Sequence, residues 1–194
     1  MIPAYNEEAR IASTVKALID YLTTWSGEAS KSQDKRSWEL LVVSDGSTDS
    51  TAAIVSGISD SDERVRVIDA AHGGKGAAVR RGMDEATGDW RFLCDADLSM
   101  PAENLGRFFD IGNDGENSDS GKPRFDVAIG SREAAGARRF NEPRSRHIKG
   151  RLFNYAVKVL ALRGIEDTQC GFKLFSAEAA TKLFPHQSLD GSAF

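Results

Sequence analysis

Two carboxylates one residue apart, Asp95 and Asp97, close the apolar run that begins at Trp90. Side chains alternate along a strand, so positions two apart face the same way. The spacing therefore sets both acids on one side where a strand passes into a loop. Like charges held that close repel unless a cation stands between or beside them. Oxygen ligands with open coordination positions suit Mg²⁺ or Mn²⁺, which usually join a protein carboxylate to substrate phosphates. An Asp-rich turn is the plainer reading of any isolated Asp-x-Asp pair. The company this pair keeps argues for more.

Three further segments carry compatible chemistry: Pro3-Ala-Tyr-Asn-Glu7, Ser44-Asp-Gly-Ser47 and Gly73-Gly-Lys-Gly76. Taken alone, each reads equally well as a turn or a loop before a helix. Asp45 has the chemistry to accept from an N–H on a nucleobase edge, and Gly46 would let the backbone approach a planar base or ribose. Lys75 places a cation at a helix N-terminus, where backbone N–H groups already favour anions. Asp97, with or without Asp95, would hold a divalent ion on a diphosphate and so help a departing diphosphate leave.

The elements that must position these residues alternate in type. Ile11, Val15, Leu18, Ile19, Leu22 and Trp25 recur at helical spacing and predict a helix from about residue 8 to 25, followed by a polar loop from 26 to 37. Residues 38–43 form an apolar, β-branched run that predicts a buried strand, with Ser47, Thr48 or Asp49 capping a helix to about residue 58. A short strand at 65–68 precedes the glycine segment, which opens a helix to Ala86. Residues 90–94 predict a fourth strand, and Pro101 starts a helix to about Phe109. A Gly-, Asn- and Asp-rich loop at 112–124, a strand at 125–129 and a long helix at 146–162 complete the pattern. Such alternation predicts an α/β fold, with a mostly parallel sheet covered by helices on both faces. In open sheets of that kind, ligands sit outside the carboxyl ends of the strands, where the four polar segments fall.

Composition narrows the function classes. With 25 Lys and Arg against 29 Asp and Glu, the formal net charge is −4, which argues against a nucleic-acid binder. No stretch reaches the roughly 18 apolar residues of a membrane-spanning helix. The start of the chain does not read as a signal peptide. The two cysteines, Cys94 and Cys170, are too few for a disulfide framework. A cytosolic setting is the default expectation. The whole chain, 1–194, reads as one domain, and its abrupt ends suggest truncation at both.

Together, Ile2-Pro-Ala-Tyr-Asn-Glu7, Ser44-Asp-Gly-Ser-Thr-Asp49, Gly74-Lys-Gly76 and Asp95-Ala-Asp97 resemble the motifs of family 2 glycosyltransferases with the GT-A, Rossmann-like fold. Gly130-Ser-Arg132 and Asp167-Thr-Gln-Cys-Gly-Phe-Lys173 sharpen the resemblance toward the branch that glycosylates polyprenyl phosphates of the dolichyl type. The resemblance implies that Pro3, Ala4, Tyr5, Glu7, Asp45 and Lys75 surround a nucleotide, with Gly46, Ser47, Gly76 and Ala96 completing that site. It implies that Asp95 and Asp97 hold ribose, Mg²⁺ or Mn²⁺, and diphosphate, and that the transfer from a nucleotide sugar inverts the anomeric centre.

For the acceptor, residues 132–151 hold Arg132, Arg138, Arg139, Arg144, Arg146, Lys149 and Arg151 against Glu133 and Glu142. A solvated basic face is the bland alternative. Arginine's planar fork nevertheless suits phosphate, and a basic stretch is drawn to anionic lipid headgroups. The resemblance assigns Arg132 and Arg146 to the acceptor phosphate, with Arg144 in reserve. It also implies work at a membrane surface, on its cytoplasmic face. His72 precedes the glycine segment, within reach of a phosphate, although a loop histidine is more often merely solvent-exposed. His147 and His186 have no partner visible in the sequence, and Cys94 reads as a small core residue.

The chain departs from the mannose-synthase pattern at Ser99, where that branch commonly carries glutamine. With Thr168-Gln-Cys-Gly171, this favours UDP-glucose over GDP-mannose as donor. Three alternatives stay open: a GDP-mannose-dependent synthase, a sugar-phosphate nucleotidyltransferase, or a nucleotide-binding remnant without turnover. Tyr5-Asn-Glu-Glu8 counts against the nucleotidyltransferase, which would carry a glycine-rich basic loop after its first strand.

Overall fold

The computed structural model describes residues 1–29, 36–113, 125–131, 170–189 and 191. The predicted helix at 146–162, the basic run from Arg132 to Arg151 and Asp167 lie outside them.

Strand β2, Leu40–Asp45, is buried along its whole length and shows how the layers are built. Leu40 and Val42 pack with Ile2, Ile11, Val15, Leu18, Val55 and Val65. Leu41 and Val43 point the other way and pack with Ala78. Helices α1 (Ile11–Ala29) and α2 (Thr51–Ser59) therefore cover one face, and α3 (Lys75–Glu85) covers the other. A strand covered on both sides needs apolar residues at successive positions, which is why this run reads as continuous rather than alternating. Burying each such side chain contributes about 1.5–3 kcal/mol.

Strand β1 (Ile2–Ala4) pairs in parallel with β2, which pairs in parallel with β3 (Val65–Ala70). Further along, β4 (Trp90–Leu93) and β5 (Val127–Ile129) flank β6 (Lys173–Ser176), antiparallel to both. The two groups join through Met1. Its N donates to Phe92 O at 2.5 Å, and its O accepts from Cys94 N at 3.1 Å. That pair of bonds is what a parallel neighbour makes. Among the described strands β6 alone runs against the rest, and the predicted α/β fold with a mostly parallel sheet is present.

Several boundaries differ from those expected. Helix α1 starts at Ile11, because Glu7 O first closes a turn by accepting from Arg10 N and Ile11 N, and it runs on to Ala29. Its apolar face, Ile11, Val15, Leu18 and Leu22, is the predicted one. Strand β2 begins two residues late and takes in Ser44 and Asp45. Helix α2 begins at Thr51, after Asp49 Oδ1 has accepted from Thr51 N at 3.0 Å. Pro101 opens a turn rather than a helix, so α4 runs over Asn104–Asn113 and takes in two positions assigned to a loop.

Three elements among the described residues went unread, the last a 3-10 turn at Phe184–His186. Strand β6 is four residues long, too short to show a period, and α5 (Ala177–Leu183) follows it at once. Ser176 caps that helix, its Oγ accepting from Ala179 N at 3.1 Å.

On the α3 side, Leu93 is fully buried against Val79, Met83 and Phe175. Replacing Leu93 with Ala should cost about 2–5 kcal/mol of stability in urea unfolding. A loss below about 1 kcal/mol would place this residue outside a packed core. Next to it, burial pushes the Cys94 thiol up to about 12. At pH 8 it is therefore a neutral thiol, and iodoacetamide should label Cys94 only after denaturation. Rapid labelling of the folded protein, read by peptide mass spectrometry, would contradict this burial.

Candidate active site

Asp45 ends β2 with its carboxylate turned inward and is only 3% exposed. Its Oδ1 accepts from Gly73 N at 2.8 Å and its Oδ2 from Gly74 N at 2.9 Å. His72 Nδ1 lies 2.9 Å from Asp45 O and 3.0 Å from Oδ2. Asp45 was expected to meet a nucleobase. In the structure it first folds the glycine segment back onto the end of β2, and a buried carboxylate needs such donors. Gly74, at φ +90°, then turns the chain into α3.

That turn delivers Lys75. Its Nζ stands 2.7 Å from Asp95 Oδ1, with both side chains about one-third exposed at 35% and 28%. The repulsion expected between Asp95 and Asp97 is thus relieved by a cation from the chain itself. Asp97 is exposed and its Oδ1 accepts from Ser99 N at 2.9 Å. Strand β4 stops at Leu93, so both acids lie in the loop beyond it rather than on the strand. Between them, Ala96 is fixed from behind by Thr14 Oγ1 of α1, which donates to Ala96 O at 2.6 Å in a buried bond.

The loops after β1 and β2 brace one another. Asn6 N donates to Ser47 Oγ at 3.1 Å, Thr48 N to Asn6 Oδ1 at 2.8 Å, and Glu7 N to Thr51 Oγ1 at 2.8 Å. The outcome is a cleft of about 370 Å³ at the carboxyl ends of the strands, lined by Pro3, Ala4, Tyr5, Glu7, Arg10, Asp45, His72, Gly74, Lys75, Ala78, Asp95, Ala96 and Asp97. Nine residues predicted from the sequence are among them: Pro3, Ala4, Tyr5, Glu7, Asp45, Lys75, Asp95, Ala96 and Asp97.

Gly46, Ser47 and Gly76 were expected in the nucleotide site and do not line the cleft. Gly46, at φ +64°, lies against the backbone of His72, where a Cβ would come within 2.6 Å of His72 N. Ser47 is a brace between loops. Gly76 is held by the chain's later segment: its N donates to Gly191 O at 3.2 Å, and a Cβ would strike Leu189 O. Arg132, Arg144 and Arg146 fall outside the described residues.

Four lining residues lie outside that set: Gly74 and Ala78, at the start of α3, and the side chains of His72 and Arg10. The His72 ring sits 4.6 Å from that of Tyr5, tilted by 31°. Arg10 Nε stands 2.7 Å from Glu7 Oε2, in a direction that leaves this buried oxygen without a hydrogen-bond donor among the described residues. The signal for His72 was its place directly before the glycine pair. For Arg10 the sequence offered none, since it is one polar residue at the start of an amphipathic helix.

The acid pair fits a hard divalent cation. Among the described residues, no cluster of three or more His, Cys, Asp or Glu side chains forms a closed cage. Two carboxylates on an open cleft instead match Mg²⁺ or Mn²⁺, which complete their shells with water and phosphate oxygens. No helix among the described residues is long and apolar enough to cross a membrane.

Comparison with known proteins agrees with this geometry. The model of glycosyl transferase family 2 matches residues 1–184. The dolichyl-phosphate beta-glucosyltransferase of Dictyostelium discoideum is 34% identical over the whole chain, which spans 58% of that protein. The chain thus covers less than two thirds of such relatives. A glucosyl-3-phosphoglycerate synthase from Mycobacterium tuberculosis, solved with Mn²⁺, UDP-glucose and phosphoglyceric acid, superposes with a TM-score of 0.58 at 20% identity, over 91% of this chain and 55% of that one. A mannosyltransferase from Pyrobaculum calidifontis, solved with GDP-Man and Mn²⁺, gives 0.57 at 19% identity, over 94% of this chain and 45% of that one. These neighbours have the GT-A fold. With a match that runs from β1 through α5 and a cleft formed where such a sheet places it, the chain belongs to glycosyl transferase family 2.

Proposed function

We propose that this chain is the catalytic domain of an inverting glycosyltransferase that moves glucose from UDP-glucose to a polyprenyl phosphate of the dolichyl type. The observation that carries this reading is the single cleft in which Asp45, Lys75, Asp95 and Asp97 converge. The name of the Dictyostelium relative supports the sugar and the acceptor, and the UDP-glucose complex of the mycobacterial synthase supports the donor. The work would take place at the cytoplasmic face of a membrane, where the acceptor's headgroup is reached.

The bond that forms joins an acceptor phosphate oxygen to the anomeric carbon. The bond that breaks joins that carbon to the nucleotide's diphosphate. A phosphate monoester, with a second pKa of about 6, is already largely a dianion near neutral pH and needs little help from a general base. The protein's task is therefore alignment and charge screening. Tyr5 and His72, whose rings meet at 4.6 Å and which both line the cleft, would offer aromatic surface to a planar base. Lys75 offers its ammonium to the diphosphate. Asp95 and Asp97 would hold Mg²⁺ or Mn²⁺, which supplies charge neutralisation for the leaving diphosphate. Arg132 and Arg146, with Arg144 in reserve, would take the acceptor phosphate, leaving Asp167 a structural role.

Calorimetric titration with UDP-glucose and GDP-mannose, each with and without Mn²⁺, tests the donor. Metal-dependent binding of UDP-glucose is expected, tighter than GDP-mannose by about tenfold or more. The reverse preference would move the donor to GDP-mannose, and binding of neither by folded protein would remove the reading altogether. Asp97→Ala should lower transfer to a polyprenyl phosphate by about 10²-fold or more while thermal unfolding stays near wild type. Unchanged transfer would take Asp97 out of the site. For the acceptor, Arg146→Ala should raise its KM by about tenfold, the worth of one charge-assisted hydrogen bond, and leave UDP-glucose affinity alone. Equal losses for both substrates would place Arg146 elsewhere.

A further inference from the structure

We infer that Gly171 is a positioning residue that sets the direction of the Asp95 carboxylate. This rests on the nucleotide-sugar reading above and deepens it. A Cβ built on Gly171 would lie 1.8 Å from Asp95 Oδ2, 2.3 Å from Cγ and 2.7 Å from Oδ1. The φ of Gly171 is not in the left-handed region, which among the described glycines only Gly46 and Gly74 adopt. A glycine is therefore required here by space and not by backbone conformation.

The crowding has one way out. Cys170 and Phe172, on either side, are buried in one cluster with Cys94. Phe172 O accepts from Gly130 N at 2.8 Å, and its ring meets Phe92 edge-on at 4.4 Å between centroids. The peptide at Gly171 is thereby held between two buried neighbours. The Asp95 backbone is held as well, its carbonyl accepting from Leu98 N at 3.2 Å. What remains free to move is the Asp95 side chain, which rotates about two torsions. An added methyl group at position 171 would swing the carboxylate off Lys75 Nζ and shift its place in the cleft that it lines with Asp97. Displacing a reacting or ligating group by about 1 Å costs on the order of 10²-fold in favourable cases. The segment Cys170–Phe172, remote in sequence, thus acts on the donor site through contact with the first acid.

Four proteins test this: wild type, Gly171→Ala, Asp95→Ala and the double variant. Calorimetry with UDP-glucose and Mn²⁺ should show Gly171→Ala weakening binding by about tenfold or more. In the Asp95→Ala background the same change should cost less than about twofold, because all three atoms that crowd position 171 are gone. Equal costs in both backgrounds, or wild-type affinity in the single variant, would overturn the inference. A crystal structure of Gly171→Ala reads the geometry independently of ligand. A carboxylate rotated off Lys75 supports the inference, whereas an unmoved carboxylate with a shifted 170–172 backbone overturns it. If wild type binds no UDP-glucose, the function reading fails while this structural test still stands. Should Gly171→Ala not fold, folding of the double variant would support the contact with Asp95, and its failure would refute it.

Discussion

One buried carboxylate carries the architecture of the cleft. Asp45 accepts from the backbone N–H groups of Gly73 and Gly74, donors that a charge in so nearly dry a site needs. This interaction ties the carboxyl end of β2 to the amino end of α3. It fixes where Lys75 begins its reach and hence where a cation meets Asp95. The tight approach of Gly46 to His72 belongs to the same knot, since only a residue without a Cβ lets the two loops close.

Around that knot the charges of the cleft find partners within the chain. The lysine neutralises one acid, a backbone N–H engages the other, and Arg10 faces Glu7. Each of these partners is also a group that an anionic substrate and its counterion would claim. Ala96 and Asp45, by contrast, are held by bonds from Thr14, Gly73 and Gly74 of the chain's own framework.

Much of this was legible before any coordinates. Helix α1 announced its buried face by the spacing of Ile11, Val15, Leu18 and Leu22, and β2 by its unbroken apolar run. The polar segments that follow strands could be placed on one edge of the sheet by topology alone. Roles were harder to read than places. Asp45 looks the same in sequence whether it faces a ligand or a backbone N–H. Gly76 looks like phosphate-loop glycine, yet its neighbour is Leu189, more than a hundred residues away. Strand β6 is too short to carry a period, and the contact between Gly171 and Asp95 exists only once β6 has paired with β4. Periodicity reports on a residue's own element, and tertiary partners leave no such trace.

Strand β1 has only three residues, yet it stands between β2 and β4 and contributes Pro3 and Ala4 to the floor of the cleft. Its partners arrive some forty and ninety positions later, so its pairing closes two long loops of chain. Local opening has its own free energy, often far below that of global unfolding. Contacts of such large sequence separation also tend to form late in folding. The cleft therefore stands on one of the shortest strands among the described residues. Amide exchange along Ile2–Ala4 would report the lifetime of a competent site, whereas exchange in β2 would report only the lifetime of the fold.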